Sequence, residues 1–228
     1  MSTIAENIST LEERIVAAAK AVDRDPASVG LLAVSKTKPA SDLRQAYAAG
    51  LRDFGENYLQ EALGKQIELN DLPLIWHFIG PIQSNKTRAI AENFAWVHSV
   101  DRLKIAQRLS EQRPADLPPL NICIQVNVSG EASKSGCTPA DLPALANAIS
   151  ALPRLKLRGL MAIPEPTEDR SAQDAAFAAV RELQASLNLA LDTLSMGMSH
   201  DLESAIAQGA TWVRIGTALF GARDYGQP

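Results

Sequence analysis

Eight short apolar runs recur along the chain, and nearly every gap between them is filled by an amphipathic stretch. The runs cover residues 31–36, 53–57, 76–80, 96–100, 121–128, 157–163, 193–198 and 212–216. Most are rich in Val, Ile, Leu and aromatic residues, the composition of strands buried on both faces. The stretches between them carry helix signals. Ser41-Asp42-Leu43 opens one after Pro39, and Gly50 closes it. Others cover 58–69, 84–93, 101–112, 138–152, 171–187 and 199–208, the last closed by Gly209. Strand–helix alternation calls for parallel strands joined by right-handed crossovers. Eight strands are the number that closes a barrel. The expected fold is therefore α/β: a single TIM-type (β/α)8 barrel over residues 1–228, with an extra N-terminal helix. That helix follows from Ile4, Ile8, Leu11, Ile15 and Ala19 on one face. Thr3 and Glu6 fit its capping box. An open doubly wound sheet is the competing topology, but no Gly-x-Gly-x-x-Gly follows the first run to favour it.

Composition narrows the function classes. With 46% hydrophobic and 21% charged residues among 228, the chain matches soluble globular averages, which excludes a disordered or fibrous protein. A net charge of −4 gives no basic surface, so no nucleic-acid partner is expected. No 18-residue apolar run exists, so no membrane span is expected. The start Met1-Ser2-Thr3-Ile4-Ala5-Glu6 lacks the basic head and apolar run of a signal peptide, which makes the cytoplasm the expected location. Cys123 and Cys137 are too few for a disulfide framework and read as buried or incidental thiols. His98 and His200 form no metal-spaced cluster with Cys or acidic residues, so no metal is expected. A closed barrel has no edge strand asking for a partner, so a monomer is expected.

Barrel sites form where strands end and the following loops begin. Lys36 ends the first run. Burying an ammonium there is costly, while desolvation or a neighbouring cation lowers its pKa and frees the amine to form a Schiff base. A lysine snorkelling from a strand end is the plainer reading. In the eighth run Arg214 and Gly216 share a face by period-two alternation, and Arg214 sits between Val213 and Ile215. A guanidinium buried there needs an anion or acceptor. Gly216 lets a ligand approach the backbone, and Thr217 adds an N–H and a hydroxyl. Ser199 is either a helix N-cap or, with the first helical N–H groups, part of an anion cup shared with Gly216 and Thr217. Barrel closure makes the first and eighth strands neighbours, so Lys36 faces that cup. An aldehyde with a phosphate tail fits, either pyridoxal 5′-phosphate with Arg214 near its pyridine nitrogen or the sugar-phosphate substrate of a lysine aldolase. Arg214 opposite a pyridine nitrogen leaves the ring neutral and supports carbanion chemistry poorly. Glu56, Asn57 and His77 are further candidates for ring contacts, His77 equally a satisfied core histidine. Residues 129–136 form the longest unpatterned loop, at the end where it can cover a site.

Several blocks in order resemble one family. They are Leu32-Ala33-Val34-Ser35-Lys36, Phe54-Gly55-Glu56-Asn57-Tyr58, Trp76-His77-Phe78-Ile79-Gly80 and Gln83-Ser84-Asn85-Lys86. Leu160-Met161-Ala162-Ile163, Ser195-Met196-Gly197-Met198-Ser199-His200-Asp201 and Arg214-Ile215-Gly216-Thr217 complete them. The chain resembles the pyridoxal phosphate homeostasis proteins, also called proline synthase co-transcribed homologues, which are related to the barrel of fold-type III alanine racemases. The resemblance implies a (β/α)8 barrel with pyridoxal 5′-phosphate on Lys36, Ser199, Gly216 and Thr217 at the phosphate, and Arg214 at the pyridine nitrogen. It also implies Asn57, His77 and Met196 around the ring. It implies a vitamin B6 carrier or regulator acting in amino-acid homeostasis, with cofactor-dependent apo-enzymes as transient partners. His200 departs from the acid, serine or similar polar residue expected there. The alternative is an amino-acid racemase, which needs a base on each face of the α-carbon. In the related racemases the second base is a tyrosine from a partner's β domain. The chain ends at Pro228, and Tyr47, Tyr58 and Tyr225 do not stand where that tyrosine would be.

Overall fold

Each apolar run becomes a strand in the computed structural model, which describes residues 2–130 and 135–222. The strands are β1 Gly30–Val34, β2 Asp53–Glu56, β3 Ile75–Phe78, β4 Trp96–Val100, β5 Leu120–Gln125, β6 Leu155–Met161, β7 Thr193–Ser195 and β8 Trp212–Ile215. All neighbours pair in parallel and the sheet closes on itself. Closure sets Leu32 opposite Arg214 and Ala33 opposite Ile215 across the β1–β8 seam. The expected (β/α)8 barrel is thus the observed one, and the open sheet is excluded.

The α-helices among the described residues are α1 Ile4–Lys20, α2 Ala40–Ala48, α3 Leu59–Glu68, α4 Thr87–Asn93, α5 Leu103–Gln112, α6 Leu142–Ser150, α7 Arg170–Ser186, α8 Leu202–Ala207 and α9 Thr217–Phe220. The extra helix α1 buries Ile8, Leu11, Ile15 and Ala19, and its capping box between Thr3 and Glu6 is present. It packs on α2, α8 and α9, bracing the β7–β8 side of the barrel. No helix among the described residues is long and apolar enough to cross a membrane.

Most strands end one to three residues sooner than their apolar runs suggest. Lys36 lies two residues beyond β1, and β7 stops at Ser195. The reason is the rim, where the chain must turn. Thr37 (φ 64°) and Gly197 (φ 97°) hold left-handed backbone that a strand cannot accommodate. At Gly197 a Cβ would come within 2.5 Å of the Ala205 Cβ, so glycine answers both conformation and space. The expected helix over 199–208 is shorter too. The Asp201 carboxylate accepts from the Met198 N–H at 2.6 Å, turning the loop before α8 begins at Leu202. Ser199 therefore precedes the helix, and the reading of it as the N-cap is corrected: Asp201 holds that position.

Candidate functional site

Side chains alternate along each strand, so alternate residues point into the barrel. At its C-terminal end these inward positions and the loops beyond them enclose a cavity of about 340 Å3. That volume lies at the lower end of the roughly 300–1,000 Å3 typical of small-molecule sites. Val34 and Lys36 come from β1 and its loop, Asn57 follows β2, and Ile79 follows β3. Ile163 follows β6, Met198, Ser199 and His200 follow β7, and Arg214, Gly216 and Thr217 come from β8 and α9.

Six of the eight expected site residues thus meet at one cavity: Lys36, Asn57, Ser199, Arg214, Gly216 and Thr217. Two do not. Met196 is fully buried in the main apolar cluster, because it follows Ser195 and takes the opposite face, toward the helices. His77 does point into the barrel, but too deep. It is fully buried, stacks on Trp96 with ring centroids 5.4 Å apart, and bonds Asp53 and His98 at 2.9 Å each. Ile79, two residues on, occupies the cavity wall instead. Glu56 also leaves the candidate ring contacts. It lies between barrel and helices, where it accepts from the Ser35 hydroxyl at 2.6 Å and the Lys65 ammonium at 2.7 Å.

Three neighbourhoods fix the cavity's walls. Beside Lys36, the Lys65 ammonium donates to the Ser35 carbonyl (2.6 Å) as well as to Glu56 and Glu61, and Glu61 accepts from the Thr37 N–H (2.6 Å). Residues 35 and 37, which flank Lys36, are therefore both tied down. Burial raises the Glu56 carboxyl above its ordinary value, with Lys65 pulling it back. Two strands away, Arg14 of α1 donates to the Ser199 carbonyl at 3.1 Å and pairs with Glu203 at 2.8 Å, pinning the loop after β7. At the seam, a Cβ on Gly216 would sit 3.3 Å from the Val34 carbonyl, so only the smallest residue fits there without pressing on β1.

Arg214 reaches the cavity from within the barrel. Its guanidinium is 95% buried and donates to the Ser195 hydroxyl (2.9 Å) and the Ala162 carbonyl (3.0 Å). Burial lowers its pKa to about 10, opposed by Asp201, and it stays cationic at neutral pH. Asn57 presents the converse. Its side-chain oxygen is buried at the cavity wall with no hydrogen-bond partner. An acceptor left so costs about 1–3 kcal/mol, which marks a place for a ligand donor.

Sequence reasoning missed Val34, Ile79, Ile163 and Met198 at the wall, and the braces Arg14 and Lys65. His200, noted for its departure, also lines the cavity. A signal for Lys65 existed: it shares the buried stripe of α3 with Leu59 and Ala62. The loop over 129–136, expected to be able to cover a site, is described at its two ends. Ser135 joins Asn57, Ile79 and Ile163 around an adjoining recess of about 310 Å3, while residues 131–134 lie outside the described residues.

Comparison with known proteins fits this arrangement. Residues 3–224 match the model of the alanine racemase N-terminal domain. The chain is 79% identical over 228 residues to a protein of Pseudomonas aeruginosa named pyridoxal phosphate homeostasis protein, covering 100% of this chain and 99% of that one. The chain belongs to the pyridoxal phosphate homeostasis protein family. The family member of Escherichia coli K12 is 53% identical over 234 residues, covering 99% of each chain. Among solved structures, PipY of Synechococcus elongatus with PLP bound superposes with a TM-score of 0.85 at 43% identity, covering 96% of this chain and 100% of PipY.

Proposed function

We propose that this chain binds pyridoxal 5′-phosphate as a Schiff base on Lys36 and serves vitamin B6 and amino-acid homeostasis as a carrier or regulator, not as a catalyst. The observation that carries the reading is the β1–β8 seam. It sets one amine, Lys36, and one anion-sized rim, Ser199, Gly216 and Thr217, around a single cavity with Arg214. The residues fit the group. Asn57 offers an unused acceptor to a donor on the ligand, and Gly216 keeps side-chain bulk away from the rim. When bound, the cofactor supplies an aldehyde that condenses with an amine, releasing water, and a pyridine ring that withdraws electrons when protonated. Within this family, PipY has been solved with PLP bound, which supports the same ligand here.

The non-catalytic part rests on Arg214. A guanidinium whose pKa stays near 10 donates a hydrogen bond to a ring nitrogen without giving up its proton, so the ring stays neutral and a poor electron sink. No tyrosine stands among the described residues of the wall, where His200 is the one other ring that could take a proton. Neither Tyr47, whose ring lies 3.8 Å from the Arg52 guanidinium, nor exposed Tyr58 lines the cavity. Tyr225 lies outside the described residues. Apo-enzymes that need the cofactor are the recipients on this reading.

The test is borohydride reduction of the cofactor-loaded protein, followed by intact mass and peptide mapping. One reduced adduct on Lys36 is expected, and none in Lys36→Ala. An adduct on Lys38, whose ammonium instead holds the Ala222 carbonyl at 2.7 Å, would overturn the assignment. Isomerisation of alanine or another amino acid by the loaded protein at about 1–1,000 per second would overturn the carrier reading.

A further inference from the structure

Barrel interiors are ordinarily filled by layers of bulky apolar side chains. Here five polar residues on five strands run in one hydrogen-bonded line through the interior. Asp53 on β2 bonds His77 on β3 (Oδ1 to Nε2, 2.9 Å), and His77 bonds His98 on β4 (Nδ1 to Nε2, 2.9 Å). His98 bonds Ser195 on β7 (Nδ1 to Oγ, 2.7 Å), and Ser195 accepts from Arg214 on β8 (2.9 Å). His77, His98 and Ser195 are fully buried. One end faces the cavity through Arg214. The other, Asp53, is 23% exposed and lines a cleft at the barrel's N-terminal face with Glu12, Arg52 and Trp212.

Counting donors gives the line a direction. A guanidinium only donates. Ser195 accepts from it and keeps its own proton available for His98 Nδ1, while at the far end the Asp53 carboxylate can only accept from His77. Burial lowers the pKa of both histidines, and His77 and Arg214 push His98 further down, while only Asp53 opposes this at His77. Both rings are therefore neutral. His98, accepting at Nδ1, carries its proton on Nε2 and donates to His77 Nδ1. His77 in turn carries its proton on Nε2 and donates to the Asp53 carboxylate. Every bond points from the cavity to the barrel floor, and a reversed line needs a protonated Asp53.

We propose that Asp53, His77, His98 and Ser195 are positioning residues for the cofactor's ring nitrogen, a one-way relay that orients Arg214 and couples it to a carboxylate on the opposite face of the barrel. This deepens the pyridoxal phosphate reading and rests on it. Two of the five Arg214 N–H groups are held by Ser195 and Ala162, which turns the rest of the fork toward the cavity.

The relay is tested first without cofactor. The chain has three histidines, so 15N-histidine NMR of the apoprotein resolves them all. His77 and His98 are expected to show an unprotonated Nδ1 and a protonated Nε2 at pH 7, and Ser195→Ala is expected to move His98 Nδ1. A protonated Nδ1 on either ring overturns the relay. The coupling is then read from the visible absorption band of the bound cofactor and from its affinity. Ser195→Ala is expected to shift the band and weaken binding about tenfold, the scale of one lost charge-assisted bond. Ser195→Thr restores both, and Asp53→Asn shifts the band in the same direction with trapping on Lys36 intact. An unmoved band in Ser195→Ala and Asp53→Asn, with cofactor still bound, overturns the coupling and leaves only a structural role. Wild-type protein that takes up no cofactor sinks the ligand reading instead, while the NMR result on the relay stands.

Discussion

Lys65→Met puts the most weight on a single buried contact. The Lys65 ammonium lies 2.7 Å from the Glu56 carboxylate, with the two side chains 6% and 0% exposed. At an effective dielectric constant of about 20, that attraction is 332/(20 × 2.7), about 6 kcal/mol. Taking each ion out of water costs several kcal/mol, so the intact pair nearly breaks even. Methionine keeps most of the stem and removes only the charge. Glu56 is then a buried carboxylate with Ser35 as its remaining partner, and the expected loss is about 3–5 kcal/mol. Against a total stability of about 5–15 kcal/mol, this is a large fraction.

The pH dependence has a definite sign. Burial already raises the Glu56 carboxyl above its unfolded value, and Lys65 is the main group pulling it down. Without Lys65 it rises further. A carboxyl whose folded pKa is raised binds its proton more tightly in the folded state. Its penalty is absent below the unfolded value and grows as pH climbs through the folded one. Urea unfolding of both proteins at pH 5, 7 and 8.5 should therefore show the variant's deficit widening with pH. Adding Glu56→Gln should recover most of it, since glutamine still accepts from Ser35. A deficit under about 1 kcal/mol at pH 8.5, or one equal at all three values, refutes the reasoning.

Two further outcomes can be checked directly. Arg14→Ala removes a pair whose side chains are each 34% exposed, so it should cost under about 1 kcal/mol in stability. Freed of its hold on the Ser199 carbonyl, the loop should nonetheless bind pyridoxal phosphate three- to tenfold more weakly, about 0.7–1.4 kcal/mol, by fluorescence titration; unchanged affinity removes α1 from any role at the site. Burial pushes the Cys123 thiol up to about 12 and Cys137 up to about 11, so a disulfide reagent at pH 8 should find no fast-reacting thiol in the native protein and two after denaturation. Fast modification of either in the folded state contradicts its placement.

The positions legible in the sequence were those fixed by alternation and closure together. Arg214 and Gly216 share a face because they are two apart, and both reach the cavity. Lys36 meets them only because β1 and β8 pair, which follows from the count of eight. Depth within the barrel was not legible. His77 lies on the correct face, yet Ile79 takes the wall, because height above the floor depends on how strands are staggered around the whole circle. Alternation by itself removes Met196, one residue from inward Ser195.

The braces show one rule applied on strands but not on helices. Arg214 drew notice because a charge between Val213 and Ile215 demands a partner. Lys65 on the buried stripe of α3, with Leu59 and Ala62, makes the same demand at helical spacing. In both cases the partner comes from elsewhere in the chain: Ser195 for Arg214, Glu56 and the Ser35 carbonyl for Lys65. Each buried cation also stands next to what it serves, Arg214 at the cavity and Lys65 behind the turn that carries Lys36. Arg113, as buried as Arg214, holds the Ala91, Phe94 and Pro118 carbonyls away from the cavity, so a buried cation points to the site only where it lies at the C-terminal ends of the strands. Substitutions at Lys65 should then disturb Lys36 as well as the fold, whereas an equally buried apolar residue of α3, such as Ala62, should affect stability alone.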